Sequence, residues 1–218
     1  MKNIPKITIK FAQSLDGKIA SKTGDSKWIS SKKSRKFAHS LRAKHDAVLV
    51  GINTVLNDDP MLNVRYVKGK NPIRVVLDSG LKLPITSKIV KSADKISTIV
   101  VGTLENGRMI EKLNNKGINV IILKNNKTKG VDLKDLCRVL NKLGIKSLLV
   151  EGGQGIITSF IKERLADTII AVTAPIIIGG GVSFAGDLGI KNVRSSYKLK
   201  LKKIRQKTPD LITEYKIN

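Results

Sequence analysis

The residues best suited to chemistry fall in two stretches of this 218-residue chain. In the first, Glu151 follows an apolar run ending at Val150 and opens Glu151-Gly152-Gly153-Gln154-Gly155. A carboxylate between a buried strand and a glycine loop would sit partly buried, where it can hold a hydroxyl or relay a proton. It can equally be satisfied by backbone amides at a helix start. The glycines let a pyrophosphate approach the backbone, and the helix that follows supplies free amides pointing at it. The pattern is neither GxGxxG nor a Walker loop, and a Gly-Gly turn at a strand end also has a purely structural use.

The second stretch runs from Gly51 to Arg65, Gly-Ile-Asn-Thr-Val-Leu-Asn-Asp-Asp-Pro-Met-Leu-Asn-Val-Arg. Asn53 or Thr54 can cap a short helix, and Asp59-Pro60 stops it, because proline drives its predecessor out of the α region. Thr54 and Asp58 are four apart and share a helical face. Arg42 and Arg65 have the geometry to clamp a phosphate bidentately, although surface arginines are common in so basic a chain. Trp28, the only tryptophan, can stack on a planar ring or anchor its own loop.

The elements that must position these residues alternate. Strands are expected at 4–14, 47–50, 73–77, 96–101, 118–123, 147–150 and 169–173, with helices at about 31–44, after Gly102, at 133–143 closed by Gly144, and at 156–164. Tyr197 to Arg205 and Leu211 to Lys216 read as an antiparallel pair, the first wet on one side only. Asp16-Gly17 and Asp78-Ser79-Gly80 read as turns. This order predicts an α/β fold, a mostly parallel central sheet flanked by helices with antiparallel C-terminal strands. Gly51, Gly102 and Gly152 then lie just beyond the C-terminal ends of three strands, the side on which such sheets bind ligands.

Composition narrows the function classes. The single cysteine, Cys137, excludes an intrachain disulfide and a cysteine-rich zinc site. It falls in an apolar helical pattern and reads as a core residue. His39 and His45 are six apart and form no HExxH pair, so no metal site is expected. The uncharged stretch 168–186 contains Pro175 and Gly179-Gly180-Gly181 and reads as strand and loop rather than a membrane span. With no apolar leader at Met1, a cytoplasmic protein is expected. Forty-one basic against 17 acidic residues give +24, which invites nucleic acid. The lysines are mostly dispersed, however, and only 4% of residues are aromatic, few platforms for base stacking.

Five motifs together resemble a family: Ser-Leu-Asp-Gly-Lys-Ile-Ala (14–20), Ser-Lys-Trp-Ile-Ser-Ser (26–31), Leu-Arg-Ala-Lys-His-Asp-Ala-Val-Leu-Val-Gly (41–51), Thr-Val-Leu-Asn-Asp-Asp-Pro-Met-Leu-Asn-Val-Arg (54–65) and Val-Glu-Gly-Gly (150–153). They are similar to the pyrimidine reductases of riboflavin biosynthesis. The resemblance implies a single reductase domain over 1–218 with a dihydrofolate-reductase-like fold, acting as a homodimer without nucleic acid or membrane. It implies NADPH as reductant, with NADH possible, and a small-molecule substrate whose ribosyl group becomes ribityl. By it Trp28, Thr54, Asp58, Gly102, Gly153, Gln154, Gly155 and Ile156 would contact the cofactor. Ser26, Arg42, Leu62, Arg65 and Glu151 would contact the substrate, with Glu151 also orienting sugar hydroxyls or moving a proton. One cysteine cannot build the zinc deaminase pattern. The resemblance therefore implies the stand-alone type, acting on 2,5-diamino-6-ribosylamino-4(3H)-pyrimidinone 5′-phosphate. The rival readings are a dihydrofolate reductase and, from another class, a basic nucleic-acid-binding protein.

Overall fold

The computed structural model describes residues 3–123 and 130–217. In chain order the elements are β1 (Lys6–Gln13), β2 (Lys18–Ser21), α1 (Lys32–Arg42), β3 (Ala47–Gly51), α2 (Ile52–Asp58), β4 (Ile73–Leu77), α3 (Lys88–Lys91), β5 (Thr98–Gly102) and α4 (Gly107–Asn114). They continue with β6 (Ile118–Ile122), α5 (Leu133–Lys142), β7 (Ser147–Val150), α6 (Gln154–Lys162), β8 (Thr168–Thr173), β9 (Gly181–Ser183), β10 (Leu199–Lys207) and β11 (Asp210–Ile217). The chain divides into two compact units, one of His39–Leu149 with residues 3–5, the other of Lys6–Ala38 with residues 150–217.

In the first unit the strand order is β7-β3-β4-β5-β6. β3, β4, β5 and β6 pair in parallel, with Leu49 opposite Val75 and Val76 opposite Val100. All five residues of β3 and of β5 are buried, as expected for parallel strands covered on both faces. Asp132 caps α5 by accepting from the Lys134 and Asp135 amides at 2.9 Å, and Gly144 follows at φ +86°, the left-handed residue that ends helices. Cys137 is in the core on α5. Asp46 fastens the start of β3 to that of β7: its Oδ2 accepts from the Lys146 amide and from the Ser147 amide and hydroxyl, all within 2.9 Å. Burial alone would raise its pKa; the Ser147 hydroxyl and the two amides outweigh this and hold it below the ordinary carboxylate value.

In the second unit the order is β10-β11-β8-β1. β1 and β8 are parallel, with Ile9 opposite Ile169, and β11 runs antiparallel to β8 and to β10. The antiparallel C-terminal pair is therefore present. The expected one-sided burial of β10 is not: Leu199, Leu201 and Ile204 are 43%, 48% and 58% exposed. This strand ends the order, and among the described residues it pairs only with β11, with no layer of its own unit over these apolar side chains. β2 and β9 form a separate antiparallel ribbon, where sequence periodicity offers only a loop for residues 181–183. The single-turn helix α3 also escaped the sequence reading, being too short to show a period; Ser87 caps it.

Strand β4 carries the least expected core residue. Arg74 has no solvent exposure, and all five of its N–H donors are used. Nε donates to Thr98 Oγ1 at 2.9 Å. Nη1 donates to Ser92 Oγ at 2.8 Å and Met61 O at 3.4 Å. Nη2 donates to Ile89 O at 3.0 Å and Ile96 O at 2.9 Å. Desolvation pulls its pKa down to about 10, so it stays charged at neutral pH and keeps every donor. Replacing Arg74 with Met would leave buried carbonyls unpaired, each worth about 1–3 kcal/mol. Arg74→Met is therefore expected to lower the unfolding free energy by roughly 3 kcal/mol or more, measured by chemical denaturation; a loss below about 1 kcal/mol would contradict this role.

Candidate active site

In the first unit α2 begins directly at the end of β3, with Gly51 as its N-cap and no side-chain cap. The expected cap at Asn53 or Thr54 is thus displaced: the buried strand turns into helix at Gly51, and both residues lie within the first turn. Thr54 and Asp58 are half-buried, one turn apart on α2. The helix ends at Asp58, as the Asp-Pro pair requires. Asp59 adopts φ +40° and its amide returns to Val55 O, while its Oδ1 accepts from the Lys88 amide at 2.8 Å.

Leu62, also left-handed at φ +48°, is buried. Non-glycine residues in that region are strained by about 1–3 kcal/mol and persist only where neighbours over-determine them. Here they do. Met61 O accepts from Arg74, Asn63 O from Arg42 Nη1 at 3.1 Å, the Val64 amide donates to Asn71 Oδ1 at 2.7 Å, and the Arg65 amide donates to His39 Nδ1 at 3.1 Å. Arg65 Nη1 donates to Asn63 Oδ1 at 2.8 Å, and its guanidinium lies 4.8 Å from the Tyr66 ring centre. Arg42 and Arg65 therefore meet at Asn63. Two guanidinium groups held beside one exposed bend suit a phosphate.

Gly102, at the end of β5, is buried, and a Cβ there would lie 2.9 Å from Leu81 Cδ2 and 3.2 Å from Ile122 Cδ1. Packing by itself accounts for that glycine. Asp78 is more than a turn residue: it is fully buried, and its Oδ2 accepts from the Leu83 amide at 2.7 Å.

In the second unit Trp28 is 75% exposed and left-handed at φ +67°. Arg35 lies over its ring, 4.4 Å from the centre, and donates to Ser30 O at 2.8 Å. An exposed indole with a guanidinium lying over its ring has the chemistry to stack on a planar group. Ser26 lies two residues before it, half-buried. Ser31 closes the loop: its amide donates to the buried Asp210 at 2.8 Å and its hydroxyl accepts from the Ser34 amide at the start of α1. In the Ser14–Ala20 motif, the Asp16 carboxylate accepts from the Ile178 and Gly179 amides at 3.1 and 2.8 Å. The Ser14 hydroxyl and then these amides lower its pKa to about 2, so it clasps that loop across the usable pH range.

Glu151 is half-buried with its Oε1 shielded from solvent, the environment expected after β7. A Cβ on Gly152 would lie 2.7 Å from Ile156 Cβ, so the strand-to-helix turn closes only on glycine. Gly153 is the N-cap of α6 without a side-chain cap, leaving the Gln154, Gly155 and Ile156 end of the helix to another acceptor. Gln154 Nε2 reaches Ala185 O at 3.5 Å, and the Gly186 amide donates to Thr158 Oγ1 at 2.8 Å. The long polar side chain at 154 thus braces the helix start against residues 185–186.

Sequence reasoning missed Arg74, His39, Asn63 and Tyr66. A lone arginine inside Ile73-Arg74-Val75-Val76-Leu77 was the available signal, since a charge in a buried strand demands partners; nothing local marks the others. Among the described residues no group of His, Cys, Asp and Glu could hold a metal ion, and no helix is long and apolar enough to cross a membrane.

Residues 5–213 match the family described as the RibD C-terminal domain, and the chain belongs to that family. It is 46% identical over 213 residues to the riboflavin biosynthesis protein RibD of Aquifex aeolicus, covering 97% of this chain but 58% of that protein. It thus spans somewhat over half the length of such relatives. It is 35% identical over 220 residues, 98% of both chains, to the 2,5-diamino-6-ribosylamino-4(3H)-pyrimidinone 5′-phosphate reductase of Methanothermobacter thermautotrophicus. The Thermotoga maritima deaminase/5-amino-6-(5-phosphoribosylamino)uracil reductase superposes with TM-score 0.84 at 28% identity, covering all of this chain and 58% of that one. Dihydrofolate reductase from Enterococcus faecalis, at TM-score 0.52 and 14% identity over 98% of this chain and 96% of that one, shares the fold alone. The dihydrofolate-reductase-like architecture is therefore established.

The α6 turn yields a paired prediction. Gly152→Ala should lower stability by roughly 1–3 kcal/mol through overpacking against Ile156. Gly155→Ala, where a Cβ meets nothing, should raise it by about 0.5–1 kcal/mol. Thermal unfolding that placed the two variants in the opposite order would contradict the packing described.

Proposed function

We propose that this protein reduces the ribosyl group of 2,5-diamino-6-ribosylamino-4(3H)-pyrimidinone 5′-phosphate to ribityl, using NADPH, in the cytoplasm. The supporting observation is the similarity over 98% of both chains to the Methanothermobacter reductase. A second reading has its own support. The likeness to the Thermotoga deaminase/reductase favours the uracil analogue, 5-amino-6-(5-phosphoribosylamino)uracil, as substrate.

Each unit carries residues whose chemistry suits part of a nicotinamide dinucleotide. The uncapped start of α6 (Gly153 to Ile156) offers amides to a pyrophosphate, Trp28 offers a ring face, and Thr54 and Asp58 offer hydroxyl and carboxylate on one face of α2. When bound, the reduced nicotinamide supplies the hydride. Arg42 and Arg65 neutralise the 5′-phosphate, with Leu62 packing beside it and Ser26 binding polar substrate groups. Glu151 orients the sugar hydroxyls and moves the proton of ring opening, which exposes C1′ as an imine; hydride at C1′ and a proton at nitrogen then give the ribityl amine. No residue acts as a nucleophile: alignment and exclusion of water are what the protein supplies.

Purified protein is expected to oxidise NADPH with one or both pyrimidine phosphates, and neither to oxidise it with dihydrofolate nor to bind duplex DNA tightly at moderate salt. Thr54→Ala and Asp58→Ala should raise KM for NADPH, and Arg65→Ala KM for the pyrimidine phosphate, each by about tenfold. Glu151→Gln should lower kcat if the residue moves a proton, and only raise KM if it merely orients. Salt-sensitive DNA binding without NADPH oxidation would overturn the proposal.

We also infer a homodimer in which a second copy covers the apolar side chains of β10 and β11. Leu199, Leu201, Ile204 and Leu211, at 43% to 58% exposed, form a surface that a lone chain leaves in water. Sedimentation should give twice the chain mass of 23.8 kDa, and Leu201→Glu should shift the protein towards monomer. A wild-type monomer at micromolar concentration would contradict the inference.

A further inference from the structure

His39 has no place in the roles above, yet three observations tie it to Arg65. Its ring is buried at 3% exposure, at the end of α1. Its Nδ1 accepts the Arg65 amide at 3.1 Å, which requires an unprotonated Nδ1 and so fixes the tautomer with the proton on Nε2. Its ring also packs against Tyr66, centres 4.5 Å apart and tilted by 56°, and Tyr66 in turn lies 4.8 Å beneath the Arg65 guanidinium. The backbone and the side chain of Arg65 are therefore both registered on one imidazole, the first by a hydrogen bond and the second through an aromatic ring.

We propose that His39 is a positioning residue that sets where the Arg65 guanidinium meets the substrate phosphate; this rests on the phosphate-binding role assigned to Arg65 above. A buried cation-free histidine suits the task better than an aliphatic residue. It offers a directional acceptor at Nδ1 and a flat face for Tyr66 in one rigid group with only two rotatable bonds. It also suits it better than a carboxylate, which would accept the amide but draw the Arg65 guanidinium down onto itself and away from a ligand anion. Arg42, three residues on, holds the same bend at Asn63, so α1 grips the bend at two successive points and its last turn becomes the reference surface for both arginines.

Two variants separate the contributions. His39→Asn keeps an acceptor on the atom that corresponds to Nδ1 and loses the ring; His39→Leu fills similar volume and loses both. The first readout needs no ligand: amide hydrogen exchange at Arg65 in the free protein should be about tenfold faster or more in His39→Leu, and close to wild type in His39→Asn. The second is steady-state kinetics with the pyrimidine phosphate and NADPH. His39→Leu should raise KM for the phosphate substrate by about tenfold, leave KM for NADPH within about twofold, and His39→Asn should recover most of the loss. Unchanged Arg65 exchange in His39→Leu would overturn the contact. Faster exchange with an unchanged substrate KM, or equal rises in both KM values, would overturn the positioning role. If wild-type protein turned over neither pyrimidine phosphate, the proposed function would fail, and the exchange comparison would still decide whether His39 holds Arg65.

Discussion

The bend between α2 and β4, the α3 turn and the entry to β5 all meet a charge buried where charges are expensive. A guanidinium in a dry interior is tolerated only when every donor is matched, and Arg74 meets that condition with carbonyls of Met61, Ile89 and Ile96 and hydroxyls of Ser92 and Thr98. These partners come from three separate segments: the bend itself, the α3 turn, and the entry to β5. Satisfying one side chain therefore fixes three loops relative to β4. No carboxylate is among its five hydrogen-bond partners, so the arrangement does not depend on an ion pair that could exchange for another. The strain of Asp59 and Leu62 is carried on that frame, with Arg42 of α1 bracing the bend at Asn63 O, and the bend presents Arg65 beside it.

The second unit carries a different kind of feature, helix-start amides without a side-chain cap and an exposed ring. Gly152 is forced by contact with Ile156, not by any unusual dihedral angle, and the missing cap at Gly153 leaves amide donors unspent. Trp28 is the opposite case, a large apolar ring left in water with the Arg35 guanidinium over it. Both features are unprofitable for a protein with nothing to bind, which is why they carry weight alongside the family relationship. That relationship establishes the family and the fold.

Much of this was legible in the sequence because it depends on local rules. The buried strands ending at Gly51, Val101 and Val150 announced themselves by composition, Asp59-Pro60 marked the end of α2, and Gly144 the end of α5. The half-buried setting of Glu151 followed from its place after an apolar run. What was illegible depends on partners distant in the chain. The α2 cap expected at Asn53 or Thr54 lies instead at Gly51 because the strand feeds directly into the helix, leaving no room for a side-chain cap. The alternation in β10 suggested one buried face, but burial requires a covering layer, and alternation cannot say whether the same chain provides it. The role of His39 arises from a hydrogen bond 26 residues away, and that of Gln154 from one 31 residues away. Spacing along the chain encodes neither.

Passage of hydride from a nicotinamide to the sugar carbon of a pyrimidine ribosylamine phosphate is tested most directly by turnover with NADPH deuterated at C4 of the nicotinamide, prepared separately with each face labelled, followed by mass spectrometry and NMR of the product. Transfer of a single deuterium to C1′ of a ribityl product, from one face only, is the predicted result. A ribityl product without deuterium from either labelled face, or no ribityl product from either pyrimidine phosphate, would contradict the account.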